Sequence, residues 1–280
     1  MSTALLFPGQ GSQTPQMRDT VATVAPDLLE AVIDVMGTDP FPRVEEGTAF
    51  AQPAIFCASL AGWRTLSEAE RDGAAFLAGH SLGELGALVA AGRLSERDGL
   101  ELVALRGRLM QEAGETAGAG GMVAILGADA AERAPELAAA HGLAVANDNS
   151  PQQVVLSGAR EALPAAAASA EALSLRALIL PVTGAFHSPM MASAVPEFRA
   201  ALARVEVREG HASVISAVTA EPFDDVRRRL EEALTSPVRW REVLLALRAR
   251  GVDRLLEVGP GRVLTGLAKR TLRGVELASV

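Results

Sequence analysis

The sequence is short of the side chains that bind metals and cross-link chains. A single cysteine, Cys57, excludes an internal disulfide framework and a thiolate cluster for zinc. Four histidines (His80, His141, His187 and His211), with no H-E-x-x-H spacing, leave little for a metal site, so neither metal nor organic cofactor is expected. Long apolar runs are missing too. No stretch approaches the roughly 18 residues of a membrane span. The opening Met-Ser-Thr-Ala-Leu-Leu-Phe-Pro-Gly has neither the basic lead nor the apolar run of a signal peptide. A basic balance is also absent: 26 Lys and Arg stand against 34 Asp and Glu, a net charge of −8. Nucleic acid and anionic membranes are therefore poor partners. A soluble, cytoplasmic, monomeric protein is expected. Lysine is nearly missing, with Lys269 alone among 25 arginines, a bias that points to a GC-rich genome rather than to a mechanism.

What is present suits a packed fold. Hydrophobic residues make up 49% and charged residues 21% of 280, enough for a sizeable core in one large domain or two unequal ones. Residues 3–7 read as a short buried strand that runs into the loop Pro8-Gly9-Gln10-Gly11-Ser12-Gln13. A helix is predicted over 20–36 and a buried one over 52–67, with Pro53 near its first turn, where a missing N–H costs little. A strand at 76–78 and helices at 81–91 and 95–115 follow. Ala117-Gly118-Ala119-Gly120-Gly121 is the clearest boundary signal. Beyond it come a strand (122–127), a helix (129–141), a strand (143–147), a turn at 147–151, a strand (153–157), a helix (160–174) and a strand (176–182). That β-α-β-β-α-β order is ferredoxin-like. Strand–helix alternation then resumes, with strands near 213–218 and 254–258, and favours a mostly parallel sheet. The expected organisation is a large α/β unit, 1–118 and 185–280, with a small insert at 119–184.

Gly79-His80-Ser81-Leu82-Gly83 matches G-x-S-x-G between a predicted strand and a predicted helix, the setting of a nucleophile elbow. The alternative is a glycine-rich N-cap serine without reactivity. A serine nucleophile needs a base. His80 adjoins Ser81, where side chains diverge, and reads as a packing residue. His141 ends an Ala-rich helix, and His211 lies in a polar stretch. His187 follows a strand end and a glycine, where α/β sheets place functional groups, although a turn or N-cap role is the competing assignment. Arg106 lies within the apolar stripe Leu102, Val103, Leu105, Leu109 and Met110, so it points inward while Arg108 faces solvent. A buried guanidinium must find an anion. Periodicity leaves open whether that anion is a protein carboxylate or a substrate carboxylate held bidentately. Between Arg239 and Arg273 nine basic residues stand against three acids, a local excess that is either a solvated face or a surface for phosphates or an acidic partner.

Taken together, these segments resemble the malonyl-CoA:acyl carrier protein transacylase family, which includes stand-alone enzymes and polyketide synthase acyltransferase domains. The likeness rests on Phe7-Pro8-Gly9-Gln10-Gly11-Ser12-Gln13, Gln52-Pro53-Ala54, Ala78-Gly79-His80-Ser81-Leu82-Gly83-Glu84, Arg106-Gly107-Arg108, Asn149-Ser150-Pro151, Ala185-Phe186-His187-Ser188 and Glu257-Val258-Gly259-Pro260-Gly261. These occur in the family's order across nearly the whole chain. The resemblance implies an α/β-hydrolase-like large subdomain with an inserted ferredoxin-like small one. It implies Ser81 as nucleophile, His187 as base, the Gln10 and Leu82 amides as oxyanion hole, and Arg106 on the malonyl carboxylate. Gln52, Phe186 and Arg239 are implied to bind substrate, with Phe186 similar to members that take malonyl. Arg239 stands where fatty-acid enzymes of the family often carry Gln, a residue that supports the histidine through its main-chain carbonyl. The partners implied are malonyl-CoA and a phosphopantetheinylated acyl carrier protein, with fatty-acid synthesis the default pathway and polyketide synthesis or malonate decarboxylation the alternatives. An α/β-hydrolase esterase is the rival enzyme, but it would place its histidine near the C-terminus. A non-catalytic docking module is the rival of another class.

Overall fold

In β1 (Ser2–Phe7) alternate side chains serve opposite faces: Leu5 and Phe7 join one buried cluster, Ala4 and Leu6 another. A strand buried on both faces belongs inside a sheet covered by helices on each side, and that is where the computed structural model places it. The structure describes residues 2–116 and 120–280. The boundary predicted at 117–121 lies largely outside the described residues.

After β1 come α1 (Met17–Val24), α2 (Pro26–Met36), α3 (Thr48–Thr65), α4 (Glu68–Asp72), β2 (Ala74–Gly79), α5 (Gly83–Ala90) and α6 (Glu96–Thr116). The small unit holds β3 (Gly120–Leu126), α7 (Ala130–Ala140), β4 (Ala144–Ser150), β5 (Gln153–Ala159), α8 (Leu163–Ala172) and β6 (Arg176–Ile179). The chain then returns through α9 (Val195–Leu202), β7 (Ser213–Ile215), α10 (Val226–Glu232), α11 (Trp240–Ala249), β8 (Val252–Glu257), α12 (Val263–Thr271) and β9 (Glu276–Ser279). The larger sheet is parallel throughout, in the order β7-β2-β1-β8-β9. The smaller is antiparallel, β4-β5-β3-β6, the strand order of a ferredoxin-like unit. The mixed α/β class with an inserted antiparallel sheet agrees with the sequence.

Several boundaries differ from the sequence expectation. The helix predicted over 20–36 is two helices, broken at Ala25 because Pro26 cannot follow a residue in helical conformation without a clash. The helix predicted from Gln52 begins at Thr48, which puts Pro53 in its interior rather than its first turn. Burial of 13 of its 18 residues outweighs the lost hydrogen bond. The turn predicted at 147–151 is mostly strand: Asn147 to Ser150 belong to β4, which also hydrogen-bonds to Val238 of the large unit (Asp148 N–H to Val238 C=O, 2.9 Å; Val238 N–H to Ala146 C=O, 2.8 Å). The Arg241 guanidinium grips Asp148 at 2.7–3.0 Å and reinforces that junction. Edge strand β9 escaped the sequence reading.

Helix α12 is held at its start by Glu257, which is fully buried. Its two oxygens accept from the N–H groups of Leu264 (3.0 Å) and Thr265 (2.7 Å), donors that no helical carbonyl reaches. Glu257→Ala leaves both donors unpaired and should lower the free energy of unfolding by about 2 kcal/mol. A urea midpoint unchanged from wild type would show that the carboxylate contributes nothing.

Candidate active site

β2 ends at Gly79 and α5 starts at Gly83, so Ser81 sits on the turn between them. Its φ is +55°, in the left-handed region that L residues adopt only when the surroundings force it. The force is local crowding. The His80 N–H donates to the Phe7 carbonyl (3.0 Å), and a Cβ on Gly83 would stand 2.1 Å from that same oxygen. With the helix packed so tightly beneath β1, the serine hydroxyl is lifted into a cavity of about 470 Å³.

His187 reaches the same point from the other side of the cavity, also with positive φ (+58°). Its Nε2 lies 2.8 Å from Ser81 Oγ and its Nδ1 2.9 Å from the Ala233 carbonyl oxygen. A carbonyl can only accept, so Nδ1 carries the proton and the Nε2 lone pair faces the serine hydroxyl. Burial pushes the imidazole down to about 3, and the nearby Arg106 and His80 add to the shift, while the Ala233 and Ser236 main chain opposes it. The neutral form that accepts a proton therefore prevails at neutral pH.

Arg106 is 3% exposed. Nη1 donates to Gln52 Oε1 (2.6 Å) and Nη2 to Ser81 Oγ (3.1 Å). Among the described residues no carboxylate lies within 4.0 Å of it. Burial pulls the guanidinium down to about 10, opposed by the more distant charge of Glu84, and it remains a cation at neutral pH. The alternative of a protein carboxylate, left open by periodicity, is not what surrounds it. Gln52 is held in turn: its Nε2 donates to Thr48 Oγ1 (2.8 Å), whose hydroxyl donates to Gln10 Oε1 (2.9 Å). One chain of hydrogen bonds thus joins the cation to the loop after β1. Thr48, one helical turn before Gln52, was missed because its predicted helix began too late.

That loop presses against the elbow. A Cβ on Gly9 would stand 2.6 Å from the His80 carbonyl oxygen. Among the described residues the N–H groups of Gln10 and Leu82 have no acceptor, and both residues line the cavity beside Ser81. Phe186, Met110 and Met122 line it as well.

Two assignments need correction. Arg239 does not line the cavity. Its guanidinium is satisfied by Glu242 and by the carbonyls of Val218 and Thr219, and its N–H donates to the Ala217 carbonyl. The carbonyl that orients His187 belongs to Ala233, six residues earlier, because α10 ends there and leaves its last carbonyls free of helical partners. His80 does more than pack: Nε2 is 2.8 Å from Asn149 Oδ1, tying the elbow to β4, and its ring meets the ring of Trp240 of α11 edge-on. His141 pairs with Ser169 Oγ, far from Ser81, and His211 is exposed. Among the described residues no group of three His, Cys, Asp or Glu side chains is placed to hold a metal ion, and no helix is long and apolar enough to cross a membrane.

Comparison with known proteins agrees with this geometry. Residues 5–280 match the family model described as acyl transferase domain. The malonyl CoA-acyl carrier protein transacylase of Salmonella typhimurium is 38% identical over 284 residues, covering 95% of this chain and 92% of that protein. The polyketide biosynthesis protein ThaF of Burkholderia thailandensis is 39% identical over 96% of this chain, but the chain spans only 24% of ThaF. The acyl carrier protein S-malonyltransferase of Vibrio cholerae superimposes with a TM-score of 0.89 at 36% identity, covering 100% of this chain and 97% of that one. The elbow serine, its neutral histidine and the inward arginine thus sit in a chain that belongs to the acyl transferase family, among malonyl-transferring relatives.

Proposed function

We propose that the protein transfers a malonyl group from malonyl-CoA to the phosphopantetheine thiol of an acyl carrier protein through a malonyl-Ser81 ester. The observation that carries this reading is Arg106: a buried cation 3.1 Å from the nucleophile with no carboxylate on it among the described residues. Ser81 Oγ attacks the thioester carbonyl as its proton passes to His187 Nε2. The oxyanion is met by the Gln10 and Leu82 amides, where charge develops. The carbonyl–sulfur bond breaks, and the departing thiolate takes the proton back from the imidazolium. The carrier thiol then repeats the sequence in reverse on the ester. Arg106 exchanges its contact with Ser81 Oγ for the malonyl carboxylate, while Gln52 Oε1 keeps its hold on Nη1. Phe186 closes the pocket around the short acyl chain.

Fatty-acid synthesis is the destination we infer, in the cytoplasm, with a polyketide carrier the second reading because of the match to ThaF. In the division we infer, the large unit (1–118 and 185–280) carries Ser81 and His187, and the small one (119–184) closes the cavity. The carrier side of the reading falls on α12, which lends Leu264 and Leu267 to the cavity. Arg262, Lys269, Arg270 and Arg273 are exposed there, and among the described residues none is in an ion pair. An acidic carrier is the partner such a face attracts.

Intact mass after mixing with malonyl-CoA should show one malonyl adduct, absent from a Ser81→Ala control. Arg106→Ala should lower kcat/KM for malonyl-CoA by about 100-fold, the loss of charge-assisted hydrogen bonds worth about 3 kcal/mol, while acetyl-CoA gains relative to it. An unchanged malonyl preference overturns the carboxylate assignment. Because His187 stays neutral down to about 3, single-turnover acylation should be flat within about twofold from pH 8 to 5. An ordinary histidine, near 6.5, would leave only about one thirtieth of the base neutral at the lower limit. The same shift makes stability full above the unfolded value near 6.5 and weaker as pH falls toward 3, since only the unfolded chain takes the proton in that window. Reversing Arg270 and Arg273 to Glu should raise the KM for the carrier about tenfold and leave that for malonyl-CoA alone; an unchanged carrier KM moves docking elsewhere.

A further inference from the structure

Glu84 lies one turn past the nucleophile, in the first turn of α5, and is 1% exposed. It does not line the cavity, and no salt bridge within 4.0 Å reaches it among the described residues. Its Oε1 accepts from the Ala217 N–H at 2.7 Å. The Ser216–Glu221 turn is closed on itself by Ser216 N–H to Glu221 C=O (2.9 Å) and Ala220 N–H to Ser216 C=O (2.8 Å). Its Ala217 carbonyl accepts from the Arg239 N–H (2.8 Å). Just before Arg239 runs the segment 233–238, whose Ala233 carbonyl holds His187 Nδ1.

These contacts run from the helix that carries Ser81 to the loop that aims its base. We propose that Glu84 is a positioning residue for the transfer reaction: its side-chain oxygen clamps the first turn of the elbow helix to the Ser216–Ala217 turn and, through Arg239, fixes the loop that orients His187 toward Ser81. The inference rests on the acyl-transfer reading of the preceding subsection. A carboxyl in this place is costly, since burial pushes it up to about 7 against the pull of the Ala217 N–H, Arg106 and Ser216. The contact with the Ala217 N–H depends on reach. Only a side chain of this length brings an acceptor to Ala217, and glutamine has the same length and the same acceptor oxygen. In an unclamped loop the imidazole drifts from the hydroxyl, and small displacements of a general base slow chemistry more than binding.

The test compares Glu84→Gln, Glu84→Asp and Glu84→Ala in the full chain. The readouts are single-turnover malonyl-enzyme formation by intact mass and the low-field proton resonance of His187 Nδ1–H. The expected result is that Gln keeps at least about one third of the wild-type rate and the wild-type resonance. Asp, which keeps the charge but withdraws the acceptor, slows acylation about tenfold or more at saturating malonyl-CoA. Its half-saturating concentration stays within about twofold, and its resonance is shifted or broadened. Ala behaves as Asp does; should it fail to fold, the Gln–Asp pair decides. The proposal is overturned if Asp is as fast as wild type, if Gln is slower than Asp, or if the resonance is the same in every variant. A wild-type protein that accepts no malonyl group sinks the functional reading instead, and the resonance still reports on the clamp.

Discussion

A nearly buried guanidinium beside a serine hydroxyl, at the wall of the cavity, is the constraint around which the site is arranged. An unpaired buried cation costs several kcal/mol, and among the described residues the hydrogen bonds of Arg106 go to neutral acceptors, Gln52 and Ser81, with the helpful charge of Glu84 beyond salt-bridge reach. These neutralise nothing, so the fork keeps its charge and its appetite for an anion. Thr48 and Gln10 extend the same network to the loop after β1. In the reaction proposed above, recognition of an acidic acyl group and stabilisation of the oxyanion are joined by that network. A neutral acyl group would leave the cation unsatisfied, which is a stronger basis for discrimination than added apolar contact.

Among the described residues no carboxylate orients the proposed base. The Ala233 carbonyl fixes the tautomer of His187 as an aspartate would, but it adds no negative charge beneath the ring. Combined with burial and the neighbouring cation, this keeps the imidazole far below its ordinary range. Ser81 and His187 both occupy left-handed backbone, so strain is concentrated at the two side chains proposed to react. Parallel strands, the packed α3 and the β4–Val238 junction supply the rigidity that sustains it.

Much of this was legible before any coordinates. Strand–turn–helix around Ser81, the β-α-β-β-α-β run and the inward face of Arg106 each follow from short-range periodicity, which is why they survived folding. What misled was anything dependent on distant partners. Pro53 suggested a helix start, because the burial that tolerates it in an interior comes from elements far away in sequence. Asn147 to Ser150 looked like a turn by composition, but pairing with Val238 draws them into a strand. Arg239 was assigned to the substrate, and Glu242 claims it instead.

The chain's own order of residues therefore determined which groups could react: one elbow serine, few candidate bases, and a cation forced inward by its place on an apolar stripe. It could not determine which atoms would meet. That Nε2 faces the hydroxyl, that Ala233 supplies the orienting carbonyl, and that no carboxylate among the described residues comes to Arg106 were decided by the tertiary structure. Those contacts join segments 25 to 106 residues apart, and local periodicity carries no information over such separations.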